Sequence, residues 1–144
     1  MSGGLVMKQL VYISKATEPF TSASLTALTE VASSNNKKLN VTGCMLYASG
    51  YFLQLLEGNN SSVDTLYHKI EKDSRHKGTR ILIEKELEDD RRLYDRWFMT
   101  SFNVDTQANF PAELKKNIQE IIEDTNTKIP VHRIFIEFKK YLAQ

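Results

Sequence analysis

The sequence predicts a ferredoxin-like α+β sandwich, in which two helices cover one face of a β-sheet. Its 144 residues are enough for about one domain with a real core. The predicted elements follow the order βαββαββ. Two further amphipathic helices at the end of the chain need a surface to cover, which indicates that they pack on the other face of the sheet.

Two periodicities predict the elements of the sandwich. Strands show alternating apolar side chains or short apolar runs between turn residues, and helices show apolar residues three and four apart behind a capping side chain. In chain order, these patterns predict a strand over 10–14, a helix from Thr21 or Ser22 to Lys38, a hairpin of strands over 41–48 and 51–56 with a Ser49-Gly50 turn, a helix from Asn60 or Ser61 to about Arg75-His76, and strands over 81–87 and 96–104.

From about Asp105 the pattern becomes purely helical. One apolar stripe runs through Leu114, Ile118, Ile121 and Ile122, and a second through Val131, Ile134, Phe135, Phe138 and Leu142, with Pro130 near its start. The third strand is apolar on both faces, with Tyr51, Leu53 and Leu55 on one face and Phe52 and Leu56 on the other. We therefore expect the two tail helices to cover the Leu53 face.

Composition excludes several function classes. Nineteen basic residues stand against eighteen acidic ones, so the net charge of +1 gives no global field toward nucleic acid or anionic lipid. Cys44 is the only cysteine, which excludes an intrachain disulfide or a multi-cysteine metal site and favours a reducing compartment. A reducing compartment makes the cytoplasm the expected location. The three histidines lack ligand spacing, so we expect no metal site.

Two polar side chains occupy strand positions where the pattern predicts core residues. Tyr12 lies in the first strand and Gln54 in the apolar third strand. A buried hydroxyl or amide without a partner costs about 1–3 kcal/mol, so both need hydrogen-bond partners. They are explained either by a core network or by a ligand between the helices that contacts Gln54 while Tyr12 binds its amide. Asn35 and Asn36 add two amides beside them, and are otherwise ordinary helix terminators.

A series of short motifs narrows these alternatives. The chain contains, in order, Leu10-Val11-Tyr12-Ile13-Ser14, Asn35-Asn36, Val41-Thr42-Gly43, Gly50-Tyr51-Phe52-Leu53-Gln54-Leu55-Leu56-Glu57-Gly58, Asp73-Ser74-Arg75-His76 and Arg96-Trp97-Phe98-Met99. From about Lys8 to Val104 this series closely resembles the BLUF family of blue-light receptors that use FAD. The resemblance implies flavin bound between the two helices of the sandwich. The motifs contact only the ring that FAD shares with FMN and riboflavin, so they do not distinguish these flavins. The expectation of FAD comes from the resemblance to the family.

The resemblance also implies roles for the polar residues. Tyr12 is then the redox-active tyrosine, protonated in the dark because its reference pKa is about 10. Gln54 is the amide beside the flavin N5 and O4. Asn36 holds the O4/N3 edge and Asn35 the neighbouring carbonyl region.

Further residues match the family's binding site. Leu28 and Ile70 match the aliphatic pair on either side of the ring, and are otherwise plain core residues. Arg75 and His76 match the basic pair near the flavin edge and phosphates, and are otherwise a solvated helix end. Ser14 shares a strand face with Tyr12 and is placed to hydrogen-bond the site.

The implied function is a blue-light photoreceptor. Electron and proton transfer from Tyr12, relayed by Gln54, leaves a rotated or tautomerised amide and a red-shifted absorption. Trp97 and Met99 are expected to share a strand face and to compete for the place beside Gln54, although Trp97 is otherwise a large core residue. The signal then biases this strand and the helices after Asp105.

The domain organisation follows from this resemblance. We expect a leader over residues 1–7, a BLUF flavin-binding domain over 8–104 and a C-terminal helical output extension over 105–144. The extension is too short for a catalytic effector domain, so we expect a photosensory flavoprotein that is not an enzyme. Output passes to an unidentified downstream protein or through a homo-oligomer, without direct binding to nucleic acid or membrane.

Other readings of the sequence are weaker. A LOV-type receptor needs a reactive cysteine in a different motif, whereas Cys44 lies inside a strand as a small apolar residue. An acylphosphatase-like enzyme needs an arginine-bearing anion loop, which residues 15–19 do not offer. RNA binding by the sheet needs exposed aromatic side chains on a face that the tail covers. The remaining alternative is a flavinless ferredoxin-like interaction or regulatory module.

Overall fold

A five-stranded sheet with two helices on each face forms the fold. The computed structural model describes residues 6–89, 91–95, 97–123 and 131–143. The elements in these ranges are β1 (Met7–Ala16), α1 (Ser22–Lys38), β2 (Thr42–Ala48), β3 (Tyr51–Asn59), α2 (Asn60–Glu71), β4 (His76–Leu87), β5 (Thr100–Asn103), α3 (Ala112–Ile122) and α4 (Val131–Leu142). The predicted ferredoxin-like α+β class is confirmed. No helix in the described ranges is both long and apolar enough to cross a membrane.

The strands are ordered β4-β1-β3-β2-β5. The β1–β4, β1–β3 and β2–β3 pairs are antiparallel, and β5 runs parallel to β2. The register of β1 on β3 sets Tyr12 directly opposite Gln54. Because facing residues of an antiparallel pair project to the same side about 5 Å apart, the sheet itself brings these two polar side chains together.

The β2–β3 hairpin is closed by the predicted Ser49-Gly50 turn. Both residues have positive φ, 51° and 82°, which matches the right-handed twist of the strands on either side. Thr21 caps α1 by accepting a hydrogen bond from the Ser24 amide, as predicted. Asn59 caps α2 by accepting from the Ser61 amide, one residue before the predicted cap.

The sheet separates two cores. Tyr12, Phe52 and Leu56 point to the face covered by α1 and α2. The opposite face presents Leu53 and Leu55 to the two tail helices. The buried residues of these helices are Leu114, Ile118 and Ile121 in α3 and Ile134, Phe135 and Phe138 in α4. The prediction that the tail covers the second face is confirmed, while Pro130 lies outside the described residues.

Several predicted boundaries are wrong. α2 ends at Glu71 instead of near Arg75-His76, because Asp73 accepts hydrogen bonds from Arg75 in a turn and His76 already belongs to β4. β4 consequently begins five residues before Ile81. β1 is longer than predicted and includes Met7, which the sequence analysis assigns to the leader; residues 1–5 lie outside the described residues.

The predicted strand over 96–104 is reduced to β5, Thr100–Asn103. The carbonyls of the preceding residues accept hydrogen bonds from donors that are far away in the sequence. The Trp97 carbonyl accepts from the Gly43 amide at 3.1 Å, and the Phe98 carbonyl accepts from the Asn36 side chain at 2.7 Å. Mixed partners of this kind replace a regular strand ladder, and Arg96 lies outside the described residues.

Candidate functional site

A groove lies between α1 and α2, with the sheet as its floor. Its cavity volume is about 120 Å³, and Val31 at its rim is 51% exposed, so the groove opens to solvent. The lining residues are Tyr12, Leu28, Val31, Ala32, Asn35, Asn36, Met45, Phe52, Gln54, Leu66, Lys69, Ile70, Asp73, Arg75 and His76. Every residue that the sequence analysis assigns to flavin binding is therefore in this lining, except Ser14.

The floor of the groove holds the Tyr12–Gln54 pair. The Tyr12 hydroxyl donates to Gln54 Oε1, and both side chains are buried. Gln54 Nε2 lies 3.7 Å from the Met99 Sδ. Because a thioether is a weak acceptor, the amide nitrogen is available to a better acceptor in the groove.

Burial fixes the protonation of Tyr12. Removal from water raises the pKa of its phenol above the ordinary value near 10, with smaller contributions from Tyr67 and Asp73. The hydroxyl is therefore protonated at neutral pH and acts as the donor to Gln54. This agrees with the protonation state expected from the sequence.

The end of α1 presents two amides to the groove. Asn36 is only 1% exposed and donates from Nδ2 to the Phe98 carbonyl. Its Oδ1 accepts hydrogen bonds only, so it suits an N–H donor of a ligand. Asn35 lies beside it at the exposed rim. Asn36 thus joins the groove to the segment before β5.

The side walls of the groove are aliphatic. Leu28 on α1 and Ile70 on α2 line it from opposite helices and are both partly buried. Ser14 reaches the site indirectly, through a 2.7 Å hydrogen bond between its Oγ and His76 Nδ1. His76 Nε2 contacts the Ile70 carbonyl, so this ring is held between β1 and α2.

Arg75 stands at the mouth of the groove. Its Nε donates to Asp73 Oδ1 at 2.9 Å, and this hydrogen bond is the main reason why the pKa of Asp73 falls to about 2. Asp73 therefore neutralises part of the cationic edge that the sequence predicts. A second groove of about 380 Å³ adjoins the first and shares Leu28, Val31 and Arg75 with it.

Trp97 and Met99 do not share a face. Met99 is buried beside Gln54 in the core under α1 and α2, whereas Trp97 packs against the core under α3 and α4. The prediction is wrong because two residues two positions apart face the same way only in a regular strand, and both residues precede β5. In this structure Met99 holds the place beside Gln54.

The groove fits a flat heterocycle with a polar edge. Aliphatic side chains bound it on two sides, and a phenol and amides supply donors and acceptors at its floor. Within the described ranges, no group of three or more His, Cys, Asp or Glu residues could hold a metal ion.

Comparison with known families decides which cofactor class is relevant. The BLUF family model, described as sensors of blue light using FAD, matches residues 7–100. The chain belongs to the BLUF family. Its family assignment and FAD as the family's cofactor, both expected from the motifs, are confirmed.

Curated relatives of this BLUF chain are subunits of photoactivated adenylate cyclases. It is 34% identical over 110 residues to the photoactivated adenylate cyclase subunit beta of Euglena longa, covering 76% of this chain and 13% of that protein. It is 38% identical over 103 residues to the subunit alpha of Euglena gracilis, covering 71% of this chain and 10% of that protein. The chain thus spans about a tenth of the length of these two relatives.

Solved BLUF structures share the architecture. A bacterial light-regulated adenylyl cyclase superposes with a TM-score of 0.75 at 32% identity, over 91% of this chain and 36% of that one. The dark-state BLUF protein BlrB superposes with a TM-score of 0.72 at 21% identity, over 90% of this chain and 95% of that one. The BlrB match bears on the fold alone.

Sequence reasoning missed part of this BLUF site. Met45 and Phe52 line the groove because they lie on the Gln54 face of the hairpin, and the register would have revealed both once the hairpin was paired. Glu57 lies in the motif of the third strand and has no role predicted from the sequence, yet it is fully buried. A carboxylate inside an apolar strand is itself a signal, because such a group needs several donors when buried.

Proposed function

We propose that this protein senses blue light through the Tyr12–Gln54 pair. The observation that supports the proposal is the hydrogen bond between these two buried side chains at the floor of the groove. Bound FAD would supply a blue-absorbing ring that is a strong oxidant when excited. Tyr12 and Gln54 both line the groove, so Tyr12 would give the excited ring an electron and a proton, with Gln54 relaying the proton, and would take both back as the ring returns to its oxidised form. Rotation or tautomerisation of the Gln54 amide then changes what it donates to the groove.

The remaining groove residues would hold the cofactor. Leu28 and Ile70 would enclose the ring from opposite helices, while Asn35 and Asn36 would bind its polar edge. Arg75 is exposed where the two grooves meet, so it suits the phosphates, with His76 beside it. Ser14 acts by orienting His76 through their hydrogen bond.

We propose that the light signal leaves the sensor through the C-terminal helices α3 and α4. The named relatives are photoactivated adenylate cyclases, in which light sensing and an effector belong to one protein. We propose that residues 8–104 are the sensor, that 105–144 are the output extension, and that this BLUF unit is not itself an enzyme. It acts on a downstream protein or through a homo-oligomer, in the cytoplasm. A net charge of +1 supports recognition by packing rather than by bulk electrostatics.

The absorption spectrum of the purified protein tests the photoreceptor proposal. A yellow protein that releases FAD on denaturation, and whose spectrum shifts reversibly to the red under blue light, is the expected result. Bleaching without a red shift would contradict the Tyr12–Gln54 mechanism. A colourless protein that FAD does not reconstitute would instead support the flavinless interaction module.

A further inference from the structure

We propose that Tyr94 carries the light signal from the groove side of the sheet to α4. This inference rests on the proposed function and names the route by which the Gln54 amide reaches the tail. Tyr94 lies in the segment between β4 and β5 and is fully buried in the core under α3 and α4. Its ring is held by ordinary packing, but its backbone and its hydroxyl make specific bonds in opposite directions.

The backbone end of Tyr94 is attached to β3. Glu57 on that strand accepts the Tyr94 amide at 2.7 Å and the Leu93 amide at 2.9 Å, and the Gln9 side chain also donates to it at 2.9 Å. Glu57 is 0% exposed, so these donors replace the water that a carboxylate otherwise binds. The same strand carries Gln54, three residues earlier.

The hydroxyl end of Tyr94 is attached to α4. Its Oη donates to the Phe135 carbonyl at 2.6 Å, and the two rings meet edge to face at 6.1 Å. Burial, followed by the neighbouring Cys44 thiol, raises the pKa of the Tyr94 phenol, so the donor stays protonated at neutral pH. A carbonyl oxygen has two lone pairs, so Phe135 can accept this bond in addition to its helical one.

The same segment reaches the photochemical pair at its other end. Met99 contacts Gln54 Nε2, and the Phe98 carbonyl accepts from Asn36. Rotation of the Gln54 amide would replace Nε2 by Oε1 beside the Met99 sulfur. Because the oxygen and the sulfur are both acceptors, the rotated amide would no longer attract Met99. The Trp97 ring, two residues before Met99, lies 6.3 Å from the Tyr94 ring, so we expect a displacement at Met99 to change the geometry of the Tyr94–Phe135 bond.

The substitution Tyr94→Phe tests this route. It removes one donor and keeps the ring, and the Phe135 carbonyl keeps its helical partner, so we expect the fold to persist. Tyr141→Phe is the matched control, because Tyr141 packs in the same aromatic core against Phe138 and Phe110. Each FAD-loaded protein is measured in the dark and under blue light, by absorption and by amide hydrogen exchange of peptides covering α4.

We expect illumination to change exchange in α4 at least about fivefold in the unsubstituted protein and in Tyr141→Phe, in line with typical coupling energies. Tyr94→Phe is expected to keep the red shift and to lose the exchange difference. Glu57→Gln, which disturbs the backbone end, should weaken the exchange difference and also keep the red shift.

Three outcomes overturn the inference. An unchanged exchange difference in Tyr94→Phe shows that the signal takes another route. Loss of the red shift in Tyr94→Phe shows that Tyr94 acts on the chromophore site itself. A normal red shift without any exchange difference in the unsubstituted protein removes the α4 route and leaves the proposed function standing. Absence of the red shift in the unsubstituted protein contradicts the proposed function instead.

Discussion

The two faces of the sheet differ in packing: one is a filled apolar core, and the other contains a groove lined by polar side chains. Under α3 and α4, each helix buries three apolar residues in a continuous aromatic and aliphatic core. Under α1 and α2, the 17-residue helix α1 buries only Leu25 and Asn36, and the space between the helices is a groove. The groove is lined by the buried polar residues Tyr12, Asn36, Gln54 and His76, and the buried Ser14 hydrogen-bonds His76 from behind.

This difference indicates where stability and where function are located. A packed apolar face contributes most to folding, because each buried side chain removes apolar surface from water. A face that keeps polar groups beside a groove forgoes part of that gain, and such an exception to core packing is expected at a binding site. The predictions below test whether the two faces separate these tasks.

The largest expected effect is the complete loss of the red-shifted state in Tyr12→Phe and in Gln54→Leu. Phenylalanine keeps the ring but removes the hydroxyl that donates to Gln54, and leucine removes the amide. Both proteins should still bind FAD, which light-minus-dark difference spectra at equal flavin content would establish. Normal photocycling of Tyr12→Phe would exclude Tyr12 as the donor, and an unchanged difference spectrum in Gln54→Leu would exclude the amide.

The next effect is on stability and should fall on the opposite face. Phe138 is 0% exposed and meets Phe102 edge to face at 4.9 Å, so Phe138→Ala should lower the free energy of unfolding by about 3–5 kcal/mol. Leu28 is only partly buried beside the groove, so Leu28→Ala should cost the flavin-free protein less than about 2 kcal/mol. Urea unfolding of the flavin-free proteins measures both.

FAD titrations complete that comparison. We expect Leu28→Ala to weaken FAD binding about tenfold, which corresponds to about 1.4 kcal/mol of lost contact. Phe138→Ala should leave FAD affinity unchanged wherever the protein remains folded. If Leu28→Ala destabilises the flavin-free protein as much as Phe138→Ala does, the two faces do not divide stability and binding.

Much of this division could be predicted from the sequence. Alternation in the first strand sets Tyr12 and Ser14 on one face, and the apolar run of the third strand indicates that both faces are covered. The amphipathic stripes beginning at Leu114 and Val131 supply the missing cover. Gln54 stands out because an amide is unexpected in such a run. These signals are local periodicities. They predict the fold correctly because the geometry of a strand or a helix fixes which side chains share a face.

The segment before β5 could not be predicted in the same way. Its backbone bonds to Glu57, to Asn36 and to Gly43, all far away in the sequence, so it has no periodicity that a local pattern could show. For this reason the strand pattern wrongly predicts that Trp97 and Met99 share one face. The pairing of Arg75 with Asp73 was missed for a different reason, because a basic motif read alone does not show which carboxylate the turn brings beside it.

The smallest expected effect concerns that Arg75–Asp73 pair. Arg75 lowers the folded-state pKa of Asp73 to about 2, below the unfolded value of about 3.9. The pair therefore stabilises the fold above about pH 4, and this contribution is lost as the pH falls toward 2. Because Asp73 is 29% and Arg75 47% exposed, we expect less than about 1 kcal/mol. Urea unfolding at both pH values should show this step in the unsubstituted protein and not in Asp73→Asn.

Glu71→Gln is the matched control, because it removes an exposed carboxylate that pairs with His68 at the end of α2, just before the turn that contains Asp73. It should retain the acid step that Asp73→Asn loses. Asp73→Asn also leaves Arg75 without its carboxylate partner at the mouth of the groove. Affinity for FAD should then rise relative to riboflavin, because only FAD carries phosphates for the guanidinium to bind. An unchanged ratio of the two affinities would show that Arg75 does not reach the phosphates, and would restrict the cation to a structural role in the α2–β4 turn.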